Sequence, residues 1–402
     1  MERAIVNVRD EIVVSGIGVM TSIGAALESV WDNLLAGVSG ARRIRSFDVS
    51  GHWNQIGCEV DGIEYRTLER QPGGRATGLL LPVIEDALHD AGLRAGEWDN
   101  RTIGICVGTT MGEITPLEDE MEGRYTGIIG GPSIIADHAA AWFALNGPCW
   151  TLTNACAAGN VAIAKAMDEL RAGRADIMIA AGVDAMSWVA FTGFASLRAM
   201  SPDVCRPFDA DRKGLLLGEG AAALVLERKS DAFRRGGRPR AVLSGYGLSA
   251  DAHHITQPDP KAVGPVKAMR KALKMAGISP EEIGYVSAHG TGTPANDRME
   301  AVAMSEVFGD KAVTSSIKGH IGHTLGAASA IEAAVCVKAL ETGVLPPTMN
   351  HRTKDAACNV TVIAGEPLEK KVMHVMSNAY AFGGINSTII MTRAGIEREG
   401  VS

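Results

Sequence analysis

An internal repeat constrains the fold of this chain more than any other feature of its sequence. The segment Ile12-Val-Val-Ser-Gly-Ile-Gly18 recurs as Ala241-Val-Leu-Ser-Gly-Tyr-Gly247, and Ile103-Gly-Ile-Cys-Val107 recurs as Ile283-Gly-Tyr-Val-Ser287. Each copy is rich in β-branched or apolar residues and contains glycine, which is typical of a strand. Because the two segments keep their order, the repeat predicts a duplicated fold of two related halves.

Each half also contains a strand that leads into an alanine-rich helical pattern, at residues 156–170 in the first half and 325–340 in the second. Strands that alternate with helical patterns predict a layered α/β fold. We place the boundary at the basic loop of residues 234–240, so that the predicted halves are residues 1–240 and 241–402. This loop reads as a solvated turn, with a docking patch as the alternative.

The first half carries long insertions, notably residues 108–146, that have no counterpart in the second half. Insertions of this kind commonly form lids or subunit contacts. We therefore expect the first half to carry the lid and the dimer contacts.

Composition excludes several classes of function. The 402 residues are 46% hydrophobic and carry a formal charge of -7 without a clustered basic stripe, which argues against nucleic-acid binding. The seven cysteines are scattered without a CxxC pair, which argues against disulfides and predicts a reducing, cytoplasmic location. The N-terminal residues 1–9 lack the apolar core of a signal peptide, and no apolar run is long enough to span a membrane.

Cys156 is the candidate nucleophile. It follows a predicted strand and opens a helix, where the free N-H groups and the positive end of the helix dipole favour a thiolate. A cysteine among alanines can instead be a small core residue. The flanking residues Ala157, Ala158 and Gly159 keep bulk away from the sulfur, which an acyl thioester would require.

Two histidines occupy comparable junctions in the second half. His289 stands where a strand breaks into a loop rich in glycine and threonine, and His323 stands between a strand and a helix. Strand-end loops hold functional sites in α/β sheets, and the duplication places His323 opposite Cys156. We predict that the three residues share one cleft and divide acid, base and hydrogen-bonding roles. Zinc is the weaker reading, because no carboxylate or second thiol shares their spacing.

The chain resembles the β-ketoacyl synthases of elongating fatty-acid and type II polyketide systems along nearly its whole length. The matching motifs are Asn154-Ala-Cys156, Cys205-Arg-Pro-Phe-Asp209, Gly218-Glu-Gly-Ala221, His289-Gly-Thr-Gly-Thr293, Lys318 with Gly322-His323 and Gly326-Ala327, and Phe382-Gly-Gly-Ile-Asn386. The resemblance implies the thiolase fold, with five αβαβα layers built from two duplicated halves.

The resemblance also implies a reaction, the decarboxylative Claisen condensation of a cysteine-bound acyl chain with malonyl-acyl-carrier protein to give a 3-oxoacyl-acyl-carrier protein. Cys156 would take the acyl group from the phosphopantetheine thioester of the carrier. His289 and His323 would act largely as neutral donors to the malonyl thioester carbonyl and would stabilise the enolate. The substrates travel on the carrier's phosphopantetheine, so that no separate cofactor and no metal are expected.

The glycine-rich loop is assigned two roles by the resemblance. The backbone N-H groups of Cys156 and Phe382 would form the oxyanion hole, and Phe382, Gly383 and Gly384 would form a gate. The loop departs from the usual family pattern because Ala381 replaces a glycine, which could restrict its movement, and Ile385 removes a hydroxyl.

Four further residues receive roles from the same resemblance. Lys318 would pair with Glu332 in the following helix, and Thr291 and Thr293 would hydrogen-bond the pantetheine arm. The expected partners are the acyl carrier protein and a second ketosynthase subunit, either identical or related. Together with Asn154 and the segment at residues 212–217, the loop departures favour a specialised polyketide or unusual fatty-acid pathway, and acyl length and saturation stay open.

Other members of this superfamily differ from the chain at single positions. A non-catalytic, chain-length-determining partner subunit typically lacks the cysteine, whereas Cys156, His289 and His323 are all present here. A degradative thiolase would carry a second cysteine in the loop at residues 378–386, which has none. An initiating ketosynthase would carry asparagine in place of His323.

Overall fold

The structure is a computed structural model that describes residues 10–62, 73–98, 100–125, 127–309 and 312–395. Its strands are β1 (Ile12–Thr21), β2 (Arg42–Arg43), β3 (Ile56–Gly57), β4 (Ile103–Gly108), β5 (Cys149–Leu152), β6 (Ile177–Asp184), β7 (Gly220–Arg228), β8 (Ala241–Ala250), β9 (Ile283–Ser287), β10 (Val313–Ser315), β11 (Val344–Leu345), β12 (Thr361–Val362), β13 (Leu368–Glu369), β14 (His374–Ala381) and β15 (Ile385–Arg393).

The α-helices are α1 (Leu27–Leu35), α2 (Arg75–Asp90), α3 (Thr115–Met121), α4 (Ile134–Trp142), α5 (Ala158–Arg171), α6 (Trp188–Ser196), α7 (Lys229–Arg234), α8 (Val263–Ala276), α9 (Pro294–Phe308), α10 (Lys318–Ile321) and α11 (Ala328–Thr342). None of them, within the described ranges, is long and apolar enough to cross a membrane.

The main sheet shows the duplication in its strand order. The order is β12-β10-β9-β14-β15-β8-β1-β7-β6-β4-β5, so that strands of the second half lie on one side and those of the first half on the other. The two sides meet where β1 pairs with β8, in antiparallel register from Ile12 opposite Leu243 to Val14 opposite Ala241. The repeated segments therefore form the junction of the two halves.

The repeated segments require glycine for the same structural reason in both halves. A Cβ atom on Gly18 of β1 would lie 2.0 Å from the carbonyl oxygen of Val83 in α2. The equivalent atom on Gly247 of β8 would lie 1.9 Å from the carbonyl oxygen of Ala268 in α8. Only glycine lets these helices lie so close to the strands. This packing explains why glycine recurs at the same position in both copies of the repeat.

The layers follow from which faces of the sheet the helices cover. Helix α2 packs on β1 and β7, helix α8 packs on β8 and β15, and helices α5 and α11 contact each other between the two halves. This arrangement, together with the structural comparisons reported below, confirms the predicted five-layered thiolase fold.

The basic loop between the halves is held by ion pairs. Arg235 pairs with Glu227, and Arg240 pairs with both Asp90 and Glu341. Most of its charge is therefore neutralised locally, in keeping with a structural turn. Residues 1–9, whose sequence lacks the apolar core of a signal peptide, lie outside the described residues.

Candidate active site

The proposed nucleophile lies on a strained turn between a strand and a helix. Cys156 is the middle residue of a 3₁₀ turn, Ala155–Ala157, that follows β5 and leads directly into α5. Ala155 has a φ of +46°, a left-handed conformation that is costly for a residue with a side chain. The thiol is thereby turned into the interior, and Cys156 is only 6% exposed.

The second half repeats this turn without the cysteine. Leu325 has a φ of +52° and opens the 3₁₀ turn Leu325–Ala327, which leads into α11. Gly326 therefore occupies the position equivalent to Cys156. The helical patterns of the sequence place Leu325 opposite Cys156 instead, so the structural equivalence differs from the sequence pattern by one residue. His323 precedes this turn by two residues, and the contact between the two turns brings it to the cysteine.

The structure brings the cysteine and both histidines together, as predicted. His323 Nε2 lies 3.0 Å from Cys156 Sγ, and the sulfur and one nitrogen of each histidine all lie within 4.8 Å of one another. The rings of His289 and His323 meet edge to face with centroids 5.3 Å apart. A soft metal ion would fit these distances, but the ammonium group of Lys318 lies 3.5 Å from His289 Nδ1 and would repel it.

The predicted ion pair lies beside His289 and outside the cavity lining. Lys318 forms a hydrogen-bonded ion pair with Glu332, and both side chains are almost completely buried. Burial raises the pKa of Glu332 to about 7, against the opposing effect of Lys318. Neither residue lines the cavity, so the pair can influence the reaction only through His289 and the local electrostatic field.

The thiol does not have the lowered pKa that its position before a helix predicted. Complete burial raises the pKa of Cys156 to about 12, although Lys318 and the backbone N-H groups of Cys156 and Phe382 favour the thiolate. Desolvation outweighs the helix terminus, so the helix start, which favours a thiolate, does not by itself lower the pKa of the thiol in this conformation. The proximity of both backbone N-H groups to the sulfur supports their proposed use as an oxyanion hole.

Both histidines are neutral rings at physiological pH. Burial, followed by the nearby Lys318, holds the pKa values of His289 and His323 well below the usual range. Neutral imidazoles suit the expected roles, because each ring can donate one hydrogen bond and accept another. The Nδ1 atom of His323 has no hydrogen-bond partner among the described residues.

Two buried acids that the sequence analysis did not single out hold the loop after His289. The carboxylate of Glu300 accepts the backbone N-H groups of His289 and Gly290 at 2.8 and 2.7 Å. Asp297 accepts the N-H group of Phe208 at 2.7 Å and that of Gly292 at 3.2 Å. The sequence contains a pattern from which these acids could have been predicted. They lie three residues apart and directly follow a glycine-rich loop, whose backbone N-H groups need hydrogen-bond acceptors.

The glycine-rich loop that contains Phe382 contacts helix α6 through a pair of aromatic rings. Phe382 stacks on Phe194 with ring centroids 5.6 Å apart and an interplanar angle of 24°. Gly383 and Gly384 have φ values of +81° and +73°, which glycine adopts without strain. Ala381 has a φ of -120°, an ordinary extended conformation, and so carries no strain in this state of the loop.

One cavity of about 280 Å³ connects these groups to the surface. Its lining includes most of the predicted site residues, whereas Gly383 does not line it. The predicted residues in the lining are Cys156, His289, Thr291, Thr293, His323, Phe382 and Gly384.

The sequence of the chain is similar to that of known proteins over most of its length. Residues 9–232 match the family described as "Beta-ketoacyl synthase, N-terminal domain", and residues 240–352 match "Beta-ketoacyl synthase, C-terminal domain". The chain is 38% identical over 395 residues to Nodulation protein E of Rhizobium meliloti (strain 1021), covering 94% of this chain and 98% of that protein. It is 34% identical over 409 residues to 3-oxoacyl-[acyl-carrier-protein] synthase 2 of Coxiella burnetii, covering 95% and 98%.

Solved structures show the same relationship. The ishigamide ketosynthase/chain length factor is 38% identical with a TM-score of 0.91, covering 96% of this chain and 100% of the other. A type II PKS acyl-carrier protein in complex with its ketosynthase bound to the hexaketide gives 27% identity and a TM-score of 0.86, covering 96% and 100%. The chain therefore belongs to the β-ketoacyl synthase family, as an acyltransferase of the 3-oxoacyl-acyl-carrier-protein synthase class.

Proposed function

We propose that Cys156, His289 and His323 carry out the two half-reactions of a β-ketoacyl synthase in the cavity that they share. The observation that carries this proposal is the 3.0 Å contact between His323 Nε2 and the Cys156 sulfur, with His289 beside both. A buried thiol with two neutral imidazoles matches the requirements of acyl transfer followed by decarboxylation.

In the first half-reaction, the Cys156 sulfur attacks the carbonyl carbon of the carrier-bound acyl thioester. The bond between that carbon and the carrier sulfur breaks, and the carrier thiol leaves with the proton that Cys156 loses. The backbone N-H groups of Cys156 and Phe382 stabilise the oxyanion that forms on the way. His323 relays the proton, because its Nε2 atom already contacts the sulfur.

In the second half-reaction, the malonyl thioester occupies the space beside the acylated cysteine. His289 and His323 donate to its thioester carbonyl, the carboxyl carbon leaves as carbon dioxide, and the electron pair remains as an enolate. The enolate carbon attacks the Cys156 thioester, the carbon–sulfur bond breaks, and the released sulfur takes up one proton that enters the cavity from solvent. Two neutral donors stabilise the developing charge without carrying positive charges that would hold the carboxylate.

The remaining predicted residues support these steps. Lys318 and Glu332 set the electrostatic environment of His289, and Lys318 lies 3.5 Å from its Nδ1 atom. Thr291 and Thr293, whose hydroxyls lie 2.9 Å apart in the cavity wall, bind the pantetheine arm. The carrier supplies the phosphopantetheine, so the reaction needs no further cofactor.

The surface and the cysteines support the proposed partners and location. Strand β5 ends the main sheet with an open edge, and Trp150 on it and Trp142 in α4 are partly exposed apolar side chains. An open edge beside apolar surface supports pairing with a second subunit, identical or related. Free cysteines throughout the described residues support a reducing, cytoplasmic environment, with an acyl carrier protein as the other partner.

A chain-length-determining subunit is the second candidate, because one of the similar structures is a ketosynthase/chain length factor. The complete set of Cys156, His289 and His323 favours the ketosynthase role. The similarity to the ishigamide ketosynthase/chain length factor and to a type II PKS ketosynthase bound to the hexaketide supports a specialised acyl or polyketide pathway.

Purified protein incubated with acyl and malonyl carrier proteins tests the proposal by mass spectrometry of the enzyme and of the carrier. We expect an acyl adduct on Cys156 and a 3-oxoacyl carrier, both abolished in Cys156→Ala. Cys149→Ser, which changes an exposed cysteine outside the cavity, is the matched control and should retain both signals. Product formed by Cys156→Ala, or only in the presence of a second ketosynthase with its own cysteine, would overturn the assignment.

A further inference from the structure

A groove between helices α8 and α9 concentrates positive charge that the reaction scheme does not use. Its cationic lining residues are Lys261, Lys267, Arg270, Lys271 and Lys274, and its one acid is Glu306. Arg270 pairs with this acid at 2.8 Å, and no ion pair involves the four lysines among the described residues. Apolar residues separate these cations along the sequence, and the helix brings them onto one face, which forms a local basic stripe that was not expected from the sequence.

The fold does not require this charge. Helix α2 occupies the equivalent position in the first half, because it packs on Gly18 as α8 packs on Gly247. The exposed residues of α2 are Glu85, Asp86, His89 and Asp90, whereas α8 contains no acidic residue. Lys267 and Lys271 lie four residues apart, and like charges at this spacing destabilise a helix. A cation in the last turn, such as Lys274, stabilises the helix dipole, but this does not account for the charge earlier in the helix. An anionic partner does account for it.

The basic groove begins where the catalytic cavity opens. Ala295 in α9 lines the cavity, and Val302, seven residues further along the same face of that helix, lines the groove. Seven residues of α-helix span about 10 Å. On the other side, Pro258 lines the cavity and Lys261 lines the groove. A protein that delivers a thioester through the mouth of the cavity therefore also faces the groove.

The groove combines its charge with exposed apolar side chains. Val263 is 60% exposed and Val302 is 45% exposed, and both lie among the cations. Protein interfaces commonly have an apolar centre with a polar rim. A groove between two helices accepts an amphipathic helix, whose apolar face contacts the centre. The partner that fits best is therefore a helix with acidic residues beside its apolar face.

We propose that this groove docks an acidic amphipathic helix of the acyl carrier protein and so holds the carrier beside the mouth of the cavity. The inference rests on the proposed function, because that function makes the carrier the source of both substrates. A membrane or a nucleic acid would also satisfy the charge, but either would cover the neighbouring mouth that Ala295 and Pro258 line. The position of the groove therefore favours the carrier.

The variant Lys267→Glu/Lys274→Glu tests the proposal, with a bacterial fatty-acid acyl carrier protein as the probe. We expect kcat/KM for both the acyl and the malonyl carrier to fall about tenfold or more at low ionic strength, chiefly through KM. Added salt should lower kcat/KM of the wild type but not of the variant, because salt screens an attraction that the variant lacks. Acylation of Cys156 by acyl pantetheine, which presents the same thioester without the protein, should keep its rate. The melting temperature should stay the same or rise, because repulsion along α8 is removed.

Arg94→Glu/Arg238→Glu is the matched control, because it changes the net charge equally at two exposed residues outside the groove and the cavity. It should keep the wild-type kcat/KM for both carriers. A carrier whose acidic helix residues are changed to lysine should bind the groove variant more tightly than the wild type, as measured by fluorescence anisotropy of the labelled carrier.

Unchanged kcat/KM in the groove variant, or an equal loss with acyl pantetheine or in the control, would overturn the proposal. Wild-type binding to phosphatidylglycerol vesicles or a DNA duplex that the groove variant loses, with unchanged carrier kinetics, would assign the groove to that surface instead. A changed oligomeric mass of the variant with unchanged carrier kinetics would assign it to a second copy of the chain. Wild-type protein that binds the carrier through the groove but makes no 3-oxoacyl product would refute the proposed function and not the docking.

Discussion

His323 Nε2 lies 3.0 Å from the sulfur of Cys156, although 167 positions of sequence separate the two residues. Burial raises the pKa of this thiol to about 12 and holds that of His323 well below its usual range. The free site is therefore a thiol beside a neutral imidazole, and proton removal during attack depends on the histidine. Activation of the nucleophile is a property of the pair and not of the helix start alone.

The first prediction concerns the pH dependence of alkylation of Cys156. With a pKa of about 12, the thiolate fraction should keep rising about tenfold per pH unit from pH 8 to pH 10. An ordinary thiol levels off above its pKa of about 8.5. The measurement is the rate of iodoacetamide labelling at Cys156 by peptide mapping, with unfolded protein as the control. A plateau below pH 9 in the folded protein would contradict the raised pKa.

Protection by substrate provides a second, independent prediction for the same residue. Prior incubation with an acyl carrier protein should block labelling of Cys156 and leave the exposed Cys149 unchanged. In His323→Ala, acylation by the carrier should slow by about a hundredfold or more, as for loss of a general base. If Cys156 labels equally with and without the acyl donor, it is not the nucleophile.

Replacing Lys318 should affect both stability and condensation. Lys318→Ala leaves the buried Glu332 without its partner, which should lower the free energy of unfolding by about 3 kcal/mol. The double variant Lys318→Met/Glu332→Leu should recover most of this loss, because it removes the unpaired charge. Condensation should stay low in both variants, because the ammonium group beside His289 is absent. Recovery of activity together with stability in the double variant would assign the pair a purely structural role.

The gating loop should tolerate a change at one position and not at another. Gly384→Ala places a Cβ atom 2.9 Å from that of Asp251 and forces alanine to a φ of +73°, so the variant should lose most of its activity. Ala381→Gly, at a φ of -120°, should keep the fold at a cost below about 1 kcal/mol. Faster acylation in Ala381→Gly would show that alanine restricts opening of the loop. Turnover and melting temperature distinguish these outcomes, and a fully active Gly384→Ala would contradict the closed geometry.

The two threonines of the cavity wall should act on both half-reactions. Thr291→Val and Thr293→Val remove hydroxyls proposed to bind the pantetheine arm, which the acyl and malonyl carriers share. Each variant should raise the KM for both carrier substrates about three- to tenfold, as for one neutral hydrogen bond. Steady-state kinetics with each carrier varied in turn is the measurement. A change confined to one carrier would place these hydroxyls at the acyl or malonyl group instead.

The duplication, the layered α/β fold and the three candidate catalytic residues could be predicted from the sequence. The duplication could be predicted from the repeated glycines of β1 and β8, because glycine is required where a helix packs very closely on a strand. A shared cleft could be predicted for Cys156, His289 and His323, because each of them follows a strand and the ends of strands in such a sheet lie near one another. Local rules of this kind depend on residues that are neighbours along the chain.

The electrostatics of that site, in contrast, depend on the three-dimensional surroundings of each group. The pKa of Cys156 rises because groups from both halves of the chain bury the sulfur, and this outweighs the helix start that the sequence displays. The hydrogen bonds from the backbone N-H groups of His289 and Gly290 to Glu300 likewise depend on how the loop and helix α9 pack together. Desolvation and hydrogen-bond satisfaction depend on three-dimensional surroundings, which a pattern along the chain does not contain.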